Sequence, residues 1–260
     1  MTIAIIGAGA MGGSLAEGLL SHTAFAPADI VVANPHTDKL EPYAAMGARV
    51  TTSNTEAAAA ADCVVIAVKP WLVERVICEM KPVLDYSRQV IVNMAAAIPS
   101  AELLGWLDRE GTTPVLFHVI PNLAVACHES MTFISTPNAT AAQTAEVERI
   151  FTAVGRVMTV DERLLAAGTS MAGCGIAYAM RYIRAAMEGG VEMGFRASEA
   201  REIAMQTVKG AVALLEHTGG HPEAEIDRVT TPGGLTIRGL NAMEDAGFTR
   251  AVIKGIKGGK

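Results

Sequence analysis

The chain predicts an α/β fold followed by an all-α one: a parallel-sheet domain over residues 1–160 and a helical domain over residues 161–260. Three observations point to it. Short, continuous apolar runs alternate with helix-like stretches through the first half, a glycine-rich turn follows the first of those runs, and no strand-like run occurs after Asp161. Continuous apolar strands separated by helices belong to a parallel sheet covered on both faces, because the crossover helices keep water off each side.

The elements follow in order. Residues 3–6 read as a short buried strand, and a helix over 10–20 follows the glycine turn. Residues 30–33 are a second strand, ended by Asn34-Pro35; a helix-like stretch over 38–46 leads to a third at Arg49-Val50. Residues 63–68 carry the strongest strand signal, halted by Lys69-Pro70, and 89–93 and 114–118 repeat the rhythm. A strand at 131–134, a helix at 141–153 and a strand at 157–160 complete the first domain. In the second, residues 164–190 read as one long helix, apolar on most sides, with Gly173 and Gly175 near its start. Ser198 opens a helix over 198–216, with Glu199 and Glu202 in its first turn, a capping pattern. The last helical stretch, 235–256, breaks at Gly247. A helix apolar nearly all round must be buried. So small a helical domain has too little interior for such helices, and a second copy of the chain is expected to cover them.

Composition narrows the function classes. Of 260 residues, 50% are hydrophobic and 5% aromatic, so Ala, Val, Ile, Leu and Met must fill the cores. A formal net charge of −6 argues against a nucleic-acid partner, which needs a basic face. No apolar run reaches the roughly 18 residues of a membrane span; residues 57–68 come nearest and contain Asp62. The apolar start lacks a basic flank and meets glycines at once, unlike a targeting signal, so a soluble, cytoplasmic protein is expected. Cys63, Cys78, Cys127 and Cys174 form no CxxC pair and read as core thiols in a reducing compartment. The histidines offer no metal-ligand spacing (His217 and His221 straddle Gly219-Gly220), and no metal is expected.

Gly7-Ala8-Gly9-Ala10-Met11-Gly12 fits G-x-G-x-x-G directly after a strand and at the opening of a helix. The first glycine makes the tight turn, the second lets a pyrophosphate approach, and the third lets helix and strand pack closely. Phosphate then sits on the helix N-terminus, where unpaired N–H groups favour negative charge. An NAD site usually ends its second strand with an acid that grips the ribose. Here Asn34-Pro35-His36-Thr37 stands there, with no acid before Asp38. Nothing repels a 2′-phosphate, so NADP(H) is preferred and NAD(H) remains possible. Val68-Lys69-Pro70 ends the best strand and should border the cofactor. Lys69 has three readings: a catalytic acid, a phosphate contact or a solvated loop lysine. Met94, Ala95 and Ala96 occupy the equivalent turn one strand on, where small side chains would let a nicotinamide lie against the backbone; an ordinary Ala-rich helix start is the alternative.

Near the C-terminus, Thr230-Thr231-Pro232-Gly233-Gly234-Leu235-Thr236 crowds hydroxyls, a proline and a glycine pair together. Gly233-Gly234 lets the backbone bend with either sign of φ, so consecutive N–H groups can turn toward one small anion. A cofactor at one end and an uncharged donor loop at the other suggest a reductase for a small acidic molecule.

These residues carry a resemblance. The chain resembles the pyrroline-5-carboxylate reductases, which make proline from its cyclic imine. The likeness runs nearly end to end: residues 7–12, Asn54, Val68-Lys69-Pro70, residues 173–178, then 230–236 with Gly247-Phe248. It implies an N-terminal Rossmann dinucleotide-binding domain and an all-α C-terminal dimerisation domain, forming a homodimer or a higher homo-oligomer built from dimers. It implies reduction of 1-pyrroline-5-carboxylate to L-proline, the last step of proline biosynthesis. Carried over by position, Thr231, Gly233, Gly234, Leu235 and Thr236 line the substrate. Gly7, Gly9, Ala10, Met11, Gly12, Asn34, Pro35, Asn54, Ala67, Val68, Lys69, Pro70, Met94, Ala95 and Ala96 touch the cofactor. Thr236 is the catalytic candidate, since a hydroxyl backed by water can donate or orient the proton that the nitrogen needs after hydride attack. Most of the acceleration then comes from holding the reacting carbons together and excluding water. A purely structural role for Thr236, as N-cap of the following helix, is the alternative.

The chain departs from the family pattern at three places. Pro121-Asn122-Leu123-Ala124 replaces a proline-asparagine-threonine-proline segment, Gly173-Cys174-Gly175-Ile176 replaces glycine-serine-glycine-proline, and Arg228, able to pair with phosphate, stands where a polar amide is common. The rivals are an imine reductase paralogue for another cyclic imino acid, a β-hydroxyacid dehydrogenase and a non-catalytic NADP-binding dimer. The dehydrogenase is disfavoured because Ala177-Tyr178-Ala179 stands where its lysine belongs, and no lysine occurs between Lys81 and Lys209.

Overall fold

The computed structural model describes residues 1–259, which divide into two compact units, residues 1–173 and residues 174 onward. The first is a single eight-stranded sheet flanked by helices. Its strands are β1 (Ile3–Ile6), β2 (Ile30–Ala33), β3 (Arg49–Thr51), β4 (Cys63–Ile66), β5 (Val90–Asn93), β6 (Val115–Ile120), β7 (Ser130–Ser135) and β8 (Gly155–Thr159), in the order β3-β2-β1-β4-β5-β6-β7-β8. The connecting helices are α1 (Ala10–Ser21), α2 (Glu41–Ala45), α3 (Asn54–Ala59), α4 (Pro70–Met80), α5 (Ser100–Leu107) and α6 (Ala141–Thr152).

Every residue of β1, β2 and β4 is buried, as two-sided coverage requires. Side chains alternate across a strand, and the core divides accordingly. Ile3 and Ile5 pack with Leu15 and Leu19 of α1 and Phe151 of α6; Ala4 and Ile6 pack with Ala58 of α3, Val73 and Ile77 of α4 and Leu103 of α5. Each large side chain taken wholly out of water contributes about 1.5–3 kcal/mol, so strand and helix placement are fixed together.

One expectation about the sheet is corrected. From β3 to β6 the pairing is parallel, but β7 runs antiparallel to β6, and β8 is parallel to β7. The link 121–129 holds only a 3₁₀ helix (Leu123–Cys127). A parallel return needs a crossover of a dozen or more residues, so this short link can only turn the chain back.

The expected long helix over 164–190 is interrupted. It comprises α7 (Leu165–Gly168), a π-helical turn (Thr169–Gly173) and α8 (Gly175–Glu192). Gly168 holds α7 against the sheet, where a Cβ would come 2.7 Å from the Phe133 ring. The carbonyl of Ala172, in the π turn, accepts a hydrogen bond from Asn122 Nδ2 (3.3 Å). Contacts that residues 165–173 make inside the first unit thus override helical continuity.

The second unit adds α9 (Ala197–Thr218), α10 (Pro222–Val229), α11 (Leu235–Asp245) and α12 (Phe248–Gly258). Helix α9 starts before Ser198: Arg196 is the N-cap, and its N–H donates to Glu199 Oε2 (2.9 Å). Helix α10 lies in a stretch too polar to show periodicity, though Pro222 at its first position and Glu223 and Glu225 in its first turn are start signals. Gly247, at φ +81°, separates α11 from α12 as expected. No helix among the described residues is long and apolar enough to cross a membrane.

Candidate functional site

The dinucleotide-binding features gather at one edge of the sheet because of strand register. Ile6 is opposite both Ala33 and Ile66, and Ile66 is opposite Asn93. The residues that follow, Gly7, Asn34, Ala67 and Met94, therefore emerge in a row at the carboxyl ends of four strands. Backbone bonds stitch that row: Gly7 N–H to Ala33 O (2.8 Å), Ala67 N–H to Ile6 O (2.9 Å) and Met94 N–H to Ile66 O (2.9 Å). With β2 and β4 on opposite sides of β1, the order reverses here, and such a switch point opens a crevice.

The three glycines have separable roles. Gly7 sits at φ +106°, and a Cβ on it would come 2.9 Å from both Ala67 O and Val68 Cγ1. A Cβ on Gly12 would come 1.9 Å from Gly7 O. Both glycines are needed by the fold. At Gly9 a Cβ would meet nothing within 4 Å. Gly9 is the N-cap of α1, with no side-chain cap and no acid in the helix's first turn. Ala10 and Met11 follow as its first two residues, so the bare N–H groups there suit an anion. The cradle fits a pyrophosphate.

The second-strand end carries no acid. Asn34 is buried, and its Oδ1 accepts from His36 N–H (3.0 Å), which leaves the Nδ2 donor for a ligand; Pro35 lies between them. At the turn after β4, Lys69 is the exposed N-cap of α4 and Pro70 its first residue. Asn54 opens α3 and donates from Nδ2 to Glu79 Oε2 (3.0 Å). Met94, Ala95 and Ala96 are not a helix start, since α5 begins only at Ser100; they lie in a turn whose Ala97 has φ +66°.

The sequence reading missed what holds these parts. Tyr43 closes over α1, since a Cβ on Gly13 would come 2.3 Å from its hydroxyl oxygen. Burial first, and the Glu17 charge second, raise the Tyr43 phenol above its ordinary pKa. Asn93 and His118, opposite each other in β5 and β6, clamp Ala95. The polar residues buried at strand ends were the only available signal. Cys63 is wholly buried, and burial together with the Asp62 and Glu146 charges pushes its thiol up to about 12. That suits a core thiol. Cys78 and Cys127 are instead exposed and Cys174 is half-buried, a correction to the expectation of four core thiols. Among the described residues no cluster of three His, Cys, Asp or Glu could hold a metal.

In the second unit the hydroxyl-rich segment is a turn between α10 and α11. Gly234 N–H donates to Thr231 O (2.9 Å), Pro232 occupies the second position and Gly233, at φ +70°, the third, as in a type II turn. Gly234 is the N-cap of α11, with no side-chain cap and no acid in the first turn. A Cβ on Gly234 would come 2.5 Å from Thr231 Oγ1. Helix α11 begins at Leu235, so Thr236 is its second residue and not its N-cap; the structural alternative for this hydroxyl fails. Thr231 and Thr236 are exposed and Leu235 is 85% exposed. Arg228, considered for phosphate, pairs with Glu225 Oε2 (2.7 Å). The turn therefore offers the N–H groups of a helix N-terminus and two hydroxyls with no carboxylate beside them, features that suit a small anion.

Comparison with known proteins places this arrangement. Residues 162–259 match the family described as pyrroline-5-carboxylate reductase dimerisation, and residues 2–97 match that described as NADP oxidoreductase coenzyme F420-dependent. Pyrroline-5-carboxylate reductase 2 of Dictyostelium discoideum is 34% identical over 98% of this chain and 89% of its own length. The chain belongs to the pyrroline-5-carboxylate reductase family. Pyrroline-5-carboxylate reductase 1 of the same organism is 35% identical over 98% of this chain, which spans 48% of that longer relative. The crystal structure of Plasmodium falciparum pyrroline carboxylate reductase with NADP bound shares the fold, with a TM-score of 0.89 over 100% of this chain and 95% of that one, at 22% identity. Membership makes the chain an NAD(P)H-dependent oxidoreductase of C=N bonds with a Rossmann domain and a dimerisation domain.

Proposed function

We infer that this chain reduces 1-pyrroline-5-carboxylate to L-proline with hydride from NADPH, NADH serving less well. One observation carries the reading: an uncapped, acid-free helix N-terminus that follows a Pro-Gly-Gly turn and is flanked by the free hydroxyls of Thr231 and Thr236. A small carboxylate anchored there needs no cationic side chain. The N–H groups of Leu235 and Thr236 hold the carboxylate, Gly233 shapes the turn, Gly234 closes it through its bond to Thr231 O and leads into the helix, and Thr231 adds a hydroxyl donor. Thr236 orients or supplies the proton for the imine nitrogen.

The cofactor supplies the hydride. Its pyrophosphate belongs at Gly7, Gly9, Ala10, Met11 and Gly12, and its ribose phosphate at Asn34 and Pro35. Ala67, Val68, Lys69, Pro70, Met94, Ala95 and Ala96 border its nicotinamide half. Asn54 joins them only by releasing Glu79. The neutral β2 end and the NADP oxidoreductase family match support the phosphorylated coenzyme. We divide the chain functionally at 160/161, place it in the cytoplasm, and assign it as a homodimer or an assembly of dimers with no nucleic-acid or membrane partner.

The test is direct. Purified protein is mixed with NADPH or NADH and pyrroline-5-carboxylate, and loss of nicotinamide absorbance is followed alongside proline formation. Rapid oxidation with proline as product, faster with NADPH, is expected. Turnover of a six-membered cyclic imine with none of the five-membered one would replace this reading with a paralogue.

A further inference from the structure

The turn after β5 is held more firmly than a loop requires. Ala95 O accepts from both Asn93 Nδ2 (2.8 Å) and His118 Nε2 (2.9 Å), while Ala95 N–H donates to Asn93 Oδ1 (3.3 Å). A carbonyl can only accept, so in the tautomer that uses the shorter contact His118 Nε2 carries the proton, and its 3.2 Å approach to Asn93 Nδ2 is a contact between two donors rather than a hydrogen bond. Nδ1 then lies buried with no partner. Two residues on, Ala97 stands at φ +66°, a conformation that a residue with a Cβ keeps only where its surroundings over-determine it. Such strain, with buried polar groups spent on one peptide, marks a segment whose shape matters.

We propose that His118 and Asn93 hold the turn after β5 in the shape that receives the nicotinamide, which makes His118 a positioning residue for hydride transfer. This rests on the reading of Met94, Ala95 and Ala96 as cofactor contacts. The ring stays neutral because burial lowers the His118 pKa more than the Ala95 bond and the Glu162 charge raise it. Glu162 is the charged group that acts on the ring; Asn93 and Ser135, its partners in β5 and β7, are uncharged.

The test compares His118→Leu with His118→Gln, whose amide nitrogen falls near the Nε2 position. In H118L, kcat is expected to fall about tenfold, because misplaced reacting carbons cost rate. The Kd for NADPH should change less than about threefold, since residues 7–12 still hold the pyrophosphate. H118Q should recover most of the rate. The emission of bound NADPH should shift in H118L and return in H118Q, a signature that mere destabilisation would not produce. Wild-type kcat and wild-type emission in folded H118L would overturn the proposal. Should H118L not fold, the isosteric Asn93→Asp, which sets a carboxylate against Ala95 O, must lower kcat and shift the emission alike. If the wild type binds NADPH but leaves pyrroline-5-carboxylate unreduced, the substrate reading fails while emission still decides this one. If it binds neither coenzyme, both fall.

Discussion

In the first unit Phe117, Phe151, Ile5 and Leu15 are wholly buried between sheet and helices, whereas among the described residues of the second only Ala200 and Ala204 are buried and Met193 is 81% exposed. Tyr178, Tyr182, Met243, Phe248 and Val252 of the helical unit line an open apolar groove of about 670 Å³. The first unit closes its core with its own residues. The second presents apolar faces that its own helices do not cover, and it matches a family domain described by dimerisation. The stability of the two units therefore depends on different things: internal packing in one, association in the other.

The largest effect should come from breaking that association. Val252→Asp places a charge in the groove, and burying it without a partner costs several kcal/mol. Sedimentation should show monomers, and turnover should vanish. Met158→Asp, at a somewhat more exposed position in β8, should change stability by less than about 0.5 kcal/mol and leave assembly intact. Equal assembly in both variants would erase this contrast between the two units.

Within the first unit the glycine turn separates fold from ligand. Gly12→Ala forces a methyl to within 1.9 Å of Gly7 O and should lower the Tm by well over 5 °C with loss of coenzyme binding. Gly9→Ala meets no protein atom, so its Tm should match the parent's while NADPH affinity falls about tenfold. In the second unit, Thr236→Ala should cut kcat by about a hundredfold and leave NADPH binding unchanged; an unaltered kcat would remove this hydroxyl from the mechanism.

Acid should act on the first unit through His118. Its pKa is lowered in the fold, so the unfolded chain binds more protons and stability rises with pH. This contribution is full above about pH 6.5 and is lost as pH falls through the lower folded value. Urea midpoints measured from pH 7.5 to 5 should decline, and less steeply in H118Q. Asp62, held low chiefly by the Thr2 N–H and also by Arg88, adds a loss only below about pH 4. The smallest effect is chemical. At pH 8 a thiol reagent should label the exposed Cys78 and Cys127 and spare Cys63 until unfolding.

Sequence reading recovered the first unit well because its signals are local. The strands at 3–6 and 30–33 are bounded by residues that cannot continue them, and G-x-G-x-x-G names its own turn. It recovered less where partners are distant in sequence. Nothing near residues 131–134 says that β7 runs antiparallel, and nothing near Gly168 says that Phe133 fills the space above it. The candidate coenzyme residues were legible because strand register sets their carboxyl ends side by side. The Asn93–His118 clamp was not, because its members are 25 residues apart and meet only when β5 and β6 pair.

What the amino-acid order determined by itself was periodicity, turn chemistry and the absence of an acid after β2, all properties of neighbouring residues. Folding alone decided the direction of β7, the break at residues 169–173 and the place of Thr236 one residue inside α11. These depend on which surfaces meet, and a contact between remote residues costs loop entropy that only the assembled core offsets. Local preference proposes an element; packing settles where it stops and which way it runs.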